Sequence, residues 1–159
     1  MIIISSAFIG INEAAKLKDK CTCTSKMIQM IRQIKIQMNY CVPSVREILQ
    51  ALTEMAEFKP FTFLNKCLES YDECSFDTLW EREVRAAGLP LSKEDVMMLV
   101  SFGSGLGTTD LDGQIGLCDS FEEKFKMSLK AYETQRDQKS KLYISAGVLA
   151  GIGIGIILI

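Results

Sequence analysis

The chain has 159 residues, a length that fits one domain, or one small domain with a membrane segment. Hydrophobic residues make up 48% and charged residues 24%, which excludes disorder of the whole chain. The sequence contains no histidine, which excludes catalytic triads, His–Cys dyads and histidine-ligated zinc sites. A mean hydropathy of +0.15 is high for a soluble protein, and the excess lies at the two ends.

The first eleven residues form an apolar segment that is followed by four lysines, Lys16, Lys18, Lys20 and Lys26. A helix of this length is too short to cross a bilayer, and the segment lacks the basic start and the cleavage site of a signal peptide. Two interpretations stay open. Either the segment dips into the membrane, or the true start lies upstream and this is the end of a longer first span.

Residues 12–141 are predicted to form six helices, because apolar residues recur every three or four positions and proline or glycine separates the periods. The first helix is expected to span residues 12–40. Ser92 is predicted to cap the fifth helix and Asp110 the sixth. The predicted inward positions are, helix by helix, Met27, Met30, Ile31, Ile34 and Met38; Val45, Ile48, Leu49, Leu52 and Met55; Phe61, Leu64, Leu68 and Tyr71; Phe76, Leu79, Trp80 and Val84; Val96, Leu99 and Val100; and Leu111, Ile115, Cys118, Phe121, Phe125, Leu129 and Tyr132.

A glycine-rich turn is predicted at residues 103–109, between the fifth and sixth helices, where a positive φ or a close backbone approach requires glycine. An alternative interpretation makes residues 96–107 a strand and glycine turn of a nucleotide site, with Ser104, Thr108 and Asp110 around a phosphate. The pattern departs from G-x-G-x-x-G, because Thr108 stands where the last glycine should be, and no Walker lysine is present. The structural turn is therefore favoured.

The segment 142–159 contains no charged residue, and a helix of that length reaches roughly 27 Å, enough for a hydrocarbon core. It is predicted to be a transmembrane continuation of the sixth helix. The basic residues Arg136, Lys139 and Lys141 precede it, so the domain is expected to be cytoplasmic. Gly147, Gly151 and Gly155 recur every fourth residue and are expected to form a packing face for a second membrane helix.

Charge is unevenly distributed along the chain. Residues 12–46 carry seven basic and two acidic groups, and residues 47–84 carry three and nine. The basic ends are expected to lie near anionic lipid headgroups, and the acidic middle is expected to face a basic partner. The same distribution disfavours nucleic-acid binding. The candidate partner surface comprises Glu69, Asp72, Glu73 and Asp77.

The six cysteines are predicted to be reduced thiols. Cys67 and Cys74 lie seven residues apart in a helical stretch, hence about 10 Å apart and beyond the reach of a disulfide. Cys21 and Cys23 form a C-x-C pair without a second pair at zinc-site spacing. We therefore expect no disulfide framework, structural zinc or other cofactor.

Two motifs resemble the stage III sporulation protein AB family. Residues 102–114 resemble its "fGxxLGxsD…Q" corner, and residues 141–151 resemble its "KxYrxLGvLxGl" membrane entry. The first match comprises Gly103, Leu106, Gly107, Asp110 and Gln114. The second comprises Lys141, Tyr143, Gly147, Val148, Leu149 and Gly151. Trp80 matches a recurrent tryptophan, whereas Ile144 stands where the family usually has a basic residue.

The resemblance implies a sporulation-specific protein in the mother-cell membrane around the forespore, as part of a trans-envelope complex. The family's cytoplasmic domain is similar to the six-helix domains of type II secretion and type IV pilus platform proteins. The implied partners are a secretion-type ATPase, stage III sporulation protein AA, and the other membrane subunits of the channel; self-association is a further expectation. The expected fold is all-α, an antiparallel six-helix bundle whose last helix continues into a C-terminal transmembrane helix, divided into residues 1–11, 12–141 and 142–159.

Three classes of function follow from these observations. The favoured hypothesis is a membrane platform without catalytic activity that docks the ATPase. The second is a membrane-anchored adaptor of a secretion or pilus assembly outside sporulation, and the third is a nucleotide-binding module that uses the glycine-rich corner.

Overall fold

The computed structural model describes the backbone of residues 2–157 and the side chains of residues 14–139. Within those ranges the chain forms six α-helices, one short 3-10 helix at Ala56–Phe58 and no strand, which confirms the predicted all-α class. The helices are α1 (Ile2–Cys41), α2 (Val45–Glu54), α3 (Thr62–Glu69), α4 (Phe76–Ala86), α5 (Lys93–Gly105) and α6 (Leu111–Ile157).

The two long helices, α1 and α6, run antiparallel and share the most extensive packing in the domain. Arg32 Nε lies 2.8 Å from Glu122 Oε1, and Lys20 Nζ lies 5.3 Å from the centre of the Tyr132 ring. Later positions of α1 therefore face earlier positions of α6. Each helix also packs against the next one in the chain, which closes the six helices into a bundle.

The core is built on aromatic rings from the middle helices. Trp80 is fully buried, contacts Phe63 edge-on with ring centres 5.3 Å apart, and donates from Nε1 to the Leu99 carbonyl oxygen at 2.8 Å. Burying a large apolar side chain contributes about 1.5–3 kcal/mol relative to exposure. All the inward positions predicted for α1 are buried, and so are most of those predicted for the other helices.

Three helices begin with side-chain caps. Ser44 and Glu47 form a capping box at the start of α2, and its hydrogen bonds lower the pKa of the Glu47 carboxyl. Ser92 Oγ accepts from the Asp95 amide at 3.0 Å, and Asp110 Oδ1 accepts from the Gly113 amide at 3.0 Å. The predicted caps of α5 and α6 are therefore confirmed.

Two predicted boundaries are wrong. Helix α1 begins at Ile2 and not near residue 12, because the apolar segment contains no helix breaker and a single glycine does not interrupt a helix. Helix α5 continues to Gly105, so Gly103 lies inside the helix and the turn starts only at Leu106. The close packing of Trp80 on this helix, described below, explains why a glycine stands there.

A buried carboxylate anchors the start of α5 to α6. Asp95 accepts from Ser128 Oγ at 2.7 Å and from the Tyr132 hydroxyl, and its side chain is almost fully buried. Burial and the hydrogen bond to Asp95 raise the pKa of the Tyr132 hydroxyl. This contact lies at the end of the bundle opposite to the turn between α5 and α6.

Among the residues that the structure describes, no helix is both long and apolar enough to cross a membrane. The predicted membrane segment 142–159 and its glycines Gly147, Gly151 and Gly155 lie outside the residues whose side chains are described. The backbone of α6 is continuous from Leu111 to Ile157, as expected for a last helix that is not interrupted after the domain.

All six cysteines are free thiols. The helical stretch predicted to contain both Cys67 and Cys74 is wrong, because α3 ends at Glu69 and Cys74 lies in the turn before α4 begins at Phe76. Burial raises the pKa of Cys23 and of Cys118 to about 11, and that of Cys67 to about 12. These thiols therefore stay protonated at neutral pH and pack as small apolar side chains.

Candidate functional site

The corner between α5 and α6 is held together by one buried amide. Gln114 Oε1 accepts from the Gly107 amide at 3.0 Å, while its Nε2 donates to the Gly105 carbonyl oxygen at 3.0 Å and to Thr109 Oγ1 at 2.9 Å. A single side chain thus satisfies polar groups on both sides of the turn. Gln114, a residue of the family motif, therefore has a structural task that depends on its having both a donor and an acceptor.

The two motif glycines are required for different reasons. Gly107 has a φ of 77°, in the left-handed region, and an added Cβ would lie 2.9 Å from Val45 Cγ2. Gly103 has no positive φ, but an added Cβ would lie 2.1 Å from Trp80 Cδ1. Leu106, the C-cap of α5, is buried. The corner is thus a packed connection between helices.

The nucleotide-binding interpretation of this corner requires a strand before the glycines, and this requirement is not met. Residues 96–102 are helical, so no strand precedes the glycines. Two hydroxyls of the imagined phosphate cup donate to carbonyl oxygens of their own segment, Ser104 to Val100 and Thr108 to Gly105. Asp110 is engaged as the cap of α6. The polar groups at this corner are therefore paired with each other.

The four predicted partner residues lie together at the end of α3 and the start of α4, and all are exposed. Asp72 accepts two hydrogen bonds from Arg46 Nη1, at 3.0 and 2.9 Å, and Glu73 lies 3.8 Å from Arg82. Hydrogen bonds from the Ser75 side chain and the Thr78 backbone lower the pKa of Asp77, which keeps it ionised. Part of the negative charge is thus offset, and Glu69 and Asp77 carry the remainder.

The first turn of α2 joins this acidic surface to the corner. Val45 contacts the backbone at Gly107, and the neighbouring Arg46 binds Asp72 and lies 5.4 Å from the centre of the Tyr71 ring. Residues 40–47, 69–77 and 105–114 therefore meet at one end of the bundle, where α1 ends and α6 begins. We call this region the distal end. The sequence alone does not indicate that the corner and the acidic surface are neighbours.

The exposed apolar residues of the distal end were not predicted from the sequence. Tyr40 and Val42 are both exposed, at the end of α1 and just after it. The exposure of Tyr40 could have been predicted from the helical period, because Tyr40 lies on the face of the helix opposite to the buried stripe through Ile34 and Met38. Nothing in the sequence marked Val42, since its exposure depends on how the chain turns into α2.

No group of three or more cysteine, aspartate or glutamate side chains suitable for a metal ion occurs among the described residues. The described part of the chain is a helical bundle with a polar corner whose groups bind each other and with one acidic end. The fold therefore defines an all-helical bundle protein.

The family comparison identifies the class more closely. The family described as stage III sporulation protein AB matches residues 1–159, the whole chain, and the chain therefore belongs to this family. Its role accordingly lies in sporulation, and the family is not known as an enzyme family. Comparison with curated proteins gave no match, and neither did comparison with solved structures.

Proposed function

We propose that the protein is a membrane-anchored platform subunit of a sporulation complex between mother cell and forespore, without catalytic activity. Its distal end docks a cytoplasmic secretion-type ATPase, the stage III sporulation protein AA that the family resemblance implies. The other membrane subunits of the channel contact it through its membrane segment. The sporulation family favours this role over that of an adaptor outside sporulation.

The separation of charge along the bundle is the observation that carries the proposal. Because α1 and α6 are antiparallel, the start of α1 and the end of α6 extend from the same end of the bundle. Lysines and arginines such as Lys18, Lys20 and Arg136 lie toward that end, which suits a surface of anionic lipid. The carboxylates of the distal end lie away from it, where a cytoplasmic partner has access.

Membrane anchoring rests on the sequence of residues 142–159. The segment is uncharged, and three basic residues precede it. In this proposal Gly147, Gly151 and Gly155 pack against a second apolar helix, either the start of α1 or a neighbouring subunit.

A binding experiment with charge reversal tests the docking role. Full-length protein in lipid nanodiscs is compared with the double variant Glu69→Lys, Asp77→Lys for capture of the purified ATPase from the same organism. This variant spares Asp72 and Glu73, which are paired with arginines. The matched control, Glu123→Lys with Glu133→Lys, makes the same change in charge on exposed positions of α6 outside the distal end.

We expect the distal variant to bind the ATPase about tenfold more weakly at low salt, with the difference shrinking as salt is added, because charge attraction is screened over about 8 Å at physiological ionic strength. The control variant should bind like the wild type. Failure of the wild type to capture the ATPase contradicts the docking role. Equal capture by all three proteins would show that the ATPase does not bind at these carboxylates.

A further inference from the structure

A groove of about 380 Å³ runs along the side of the bundle between α1 and α2. Its lining consists of positions one turn apart on each helix and of the proline between the helices: Gln33, Gln37, Cys41, Pro43, Glu47, Ala51 and Met55. The lining on α1 extends over about 12 Å along the helix axis, or about two turns. This is the length of groove that receives a short stretch of a further helix. We call it the α1–α2 groove.

The groove contains an amide that the fold leaves unpaired. Gln37 Nε2 is shielded from water and donates to no atom of the described residues. An unpaired buried donor destabilises a fold, so it calls for an explanation outside the packing of the domain. Because Gln37 lines the groove, rotation about its side-chain bonds turns the amide toward an acceptor seated there. Gln33 places a second amide one turn away.

Apolar groups form the floor and the outer edge of the groove. Ala51 and Met55 are half-buried on α2, and Met55 also packs against the core. On α1, Tyr40 comes one turn after Gln37 and is 86% exposed, and Ile36 comes one turn before Tyr40 and is 47% exposed. These two side chains therefore flank the α1 edge of the groove.

The charge of the groove is negative. Glu47 is the one charged residue of its lining, and hydrogen bonds from the Ser44 backbone and side chain lower the pKa of Glu47, so it is ionised at neutral pH. Glu54 is exposed and follows seven residues later, which places it on the same face of α2 about two turns away. Two carboxylates thus follow the α2 side of the groove.

The neighbouring cations do not neutralise these carboxylates, because they are bound elsewhere. Arg46 binds Asp72 of the acidic surface. On α1, Arg32 and Lys35 bind carboxylates of α6. An apolar groove with uncompensated negative charge is complementary to an apolar surface that carries cations.

We propose that the α1–α2 groove receives a helix of a partner protein that carries apolar side chains flanked by lysines or arginines. Its apolar side chains cover Met55 and contact Tyr40, its cations pair with Glu47 and Glu54, and a polar group of the helix accepts from Gln37. The inference rests on the proposed function, in which the partner is the cytoplasmic ATPase. It assigns to that partner a contact outside the four carboxylates predicted from the sequence.

The heights of two surfaces favour a partner protein over a second copy of this chain. The chain carries one similar feature on α6, where Met127 is 60% exposed and has Lys124 and Lys130 one turn away on either side. Arg32 lies opposite Glu122, so the groove extends from that level toward the distal end, whereas Met127 lies on the other side of that level. In copies that stand side by side in one membrane, the methionine and the groove do not meet.

Two variants test the groove in the full-length protein in lipid nanodiscs, with the purified ATPase from the same organism as the probe. Gln33→Lys with Glu54→Lys makes the groove positive. Gln37→Leu removes the unpaired amide and leaves a side chain of similar size. The matched control for the first variant is Glu133→Lys with Gln135→Lys, which makes the same change in charge at exposed positions of α6 outside the groove.

We expect the charge variant to raise the Kd for the ATPase about tenfold at low salt, with a difference that shrinks as salt is added, and the control to leave the Kd unchanged. Gln37→Leu should raise the Kd about three- to tenfold at every salt concentration, because one hydrogen bond is lost. It should also unfold at a temperature no lower than the wild type, since an unpaired buried donor has been removed.

The outcomes separate the groove from the docking role itself. If the wild type binds the ATPase and both groove variants bind it equally well, the groove is not a docking site, although the proposed function stands. If the wild type does not bind, the docking role fails and the inference fails with it. Sedimentation of the same proteins tests the other occupant: self-association of the wild type that the groove variants abolish identifies a second copy and overturns the inference.

Discussion

The indole ring of Trp80 packs directly on the backbone of Gly103, so closely that a Cβ at position 103 would lie 2.1 Å from Cδ1 and 2.2 Å from Nε1. The ring cannot move aside easily, since it is fully buried and its Nε1 donates to the Leu99 carbonyl oxygen. Two residues of the family resemblance, a tryptophan and a glycine 23 positions apart in the sequence, are therefore the two halves of one contact.

Gly103→Ala should consequently destabilise the domain by about 2 kcal/mol or more, because overpacking a core forces side chains or backbone to shift. Gly116→Ala is the matched control on α6, where an added Cβ meets nothing within 4 Å. There alanine should stabilise the helix by up to about 1 kcal/mol. Denaturant unfolding of the full-length protein in detergent measures both changes. Equal stability of the two variants would show that the Trp80 contact is not tight.

Gly107→Ala should be more destabilising than Gly88→Ala. Both glycines have a positive φ, 77° and 59°, so both substitutions carry a strain of about 1–2 kcal/mol. Only Gly107 has a close neighbour, Val45 Cγ2, at 2.9 Å from an added Cβ. The difference between the two unfolding free energies therefore measures the contact between α2 and the corner. Adding Val45→Ala to the Gly107→Ala variant should remove the additional destabilisation relative to Gly88→Ala. If the additional destabilisation is unchanged, it does not come from the contact with Val45.

Buried thiols should make stability fall at alkaline pH. Burial raises the pKa of Cys67 from 9.0 to about 12, so the folded state keeps this thiol protonated where the unfolded chain ionises it. Its contribution is complete below pH 9 and is lost as pH rises toward 12. Between pH 8 and pH 10 the unfolding free energy should fall by about 1 kcal/mol through this group. In the Cys67→Ala variant the unfolding free energy should fall correspondingly less between the two pH values. An identical fall in the variant and the wild type would show that ionisation of Cys67 is not its cause.

Labelling of cysteines tests the predicted topology. A membrane-impermeant maleimide added to intact cells should not modify Cys41 or Cys74, because the basic residues next to both apolar ends predict a cytoplasmic domain. After permeabilisation Cys41 should react faster than Cys74, since Cys41 is exposed and Cys74 is half-buried. Modification of Cys41 in intact cells, at the rate of an external control protein, would reverse the predicted orientation.

The sequence by itself determined the helical class, the inward face of each helix and the caps at Ser92 and Asp110, because these depend on contacts within a few residues. The family motifs were also recognisable locally, and the family match over residues 1–159 confirmed the resemblance.

Only the tertiary structure decided which separate segments meet. Three contacts connect residues that are far apart in the chain. Gly103 contacts Trp80, Val45 and Arg46 join the corner to the acidic surface, and Asp95 is buried against α6. The periodicity of one helix cannot reveal which neighbour covers it or which carboxylate finds an arginine. The exposure of Val42 likewise depends on the turn between α1 and α2, where its φ is positive, so its exposed side chain became visible only in the folded domain.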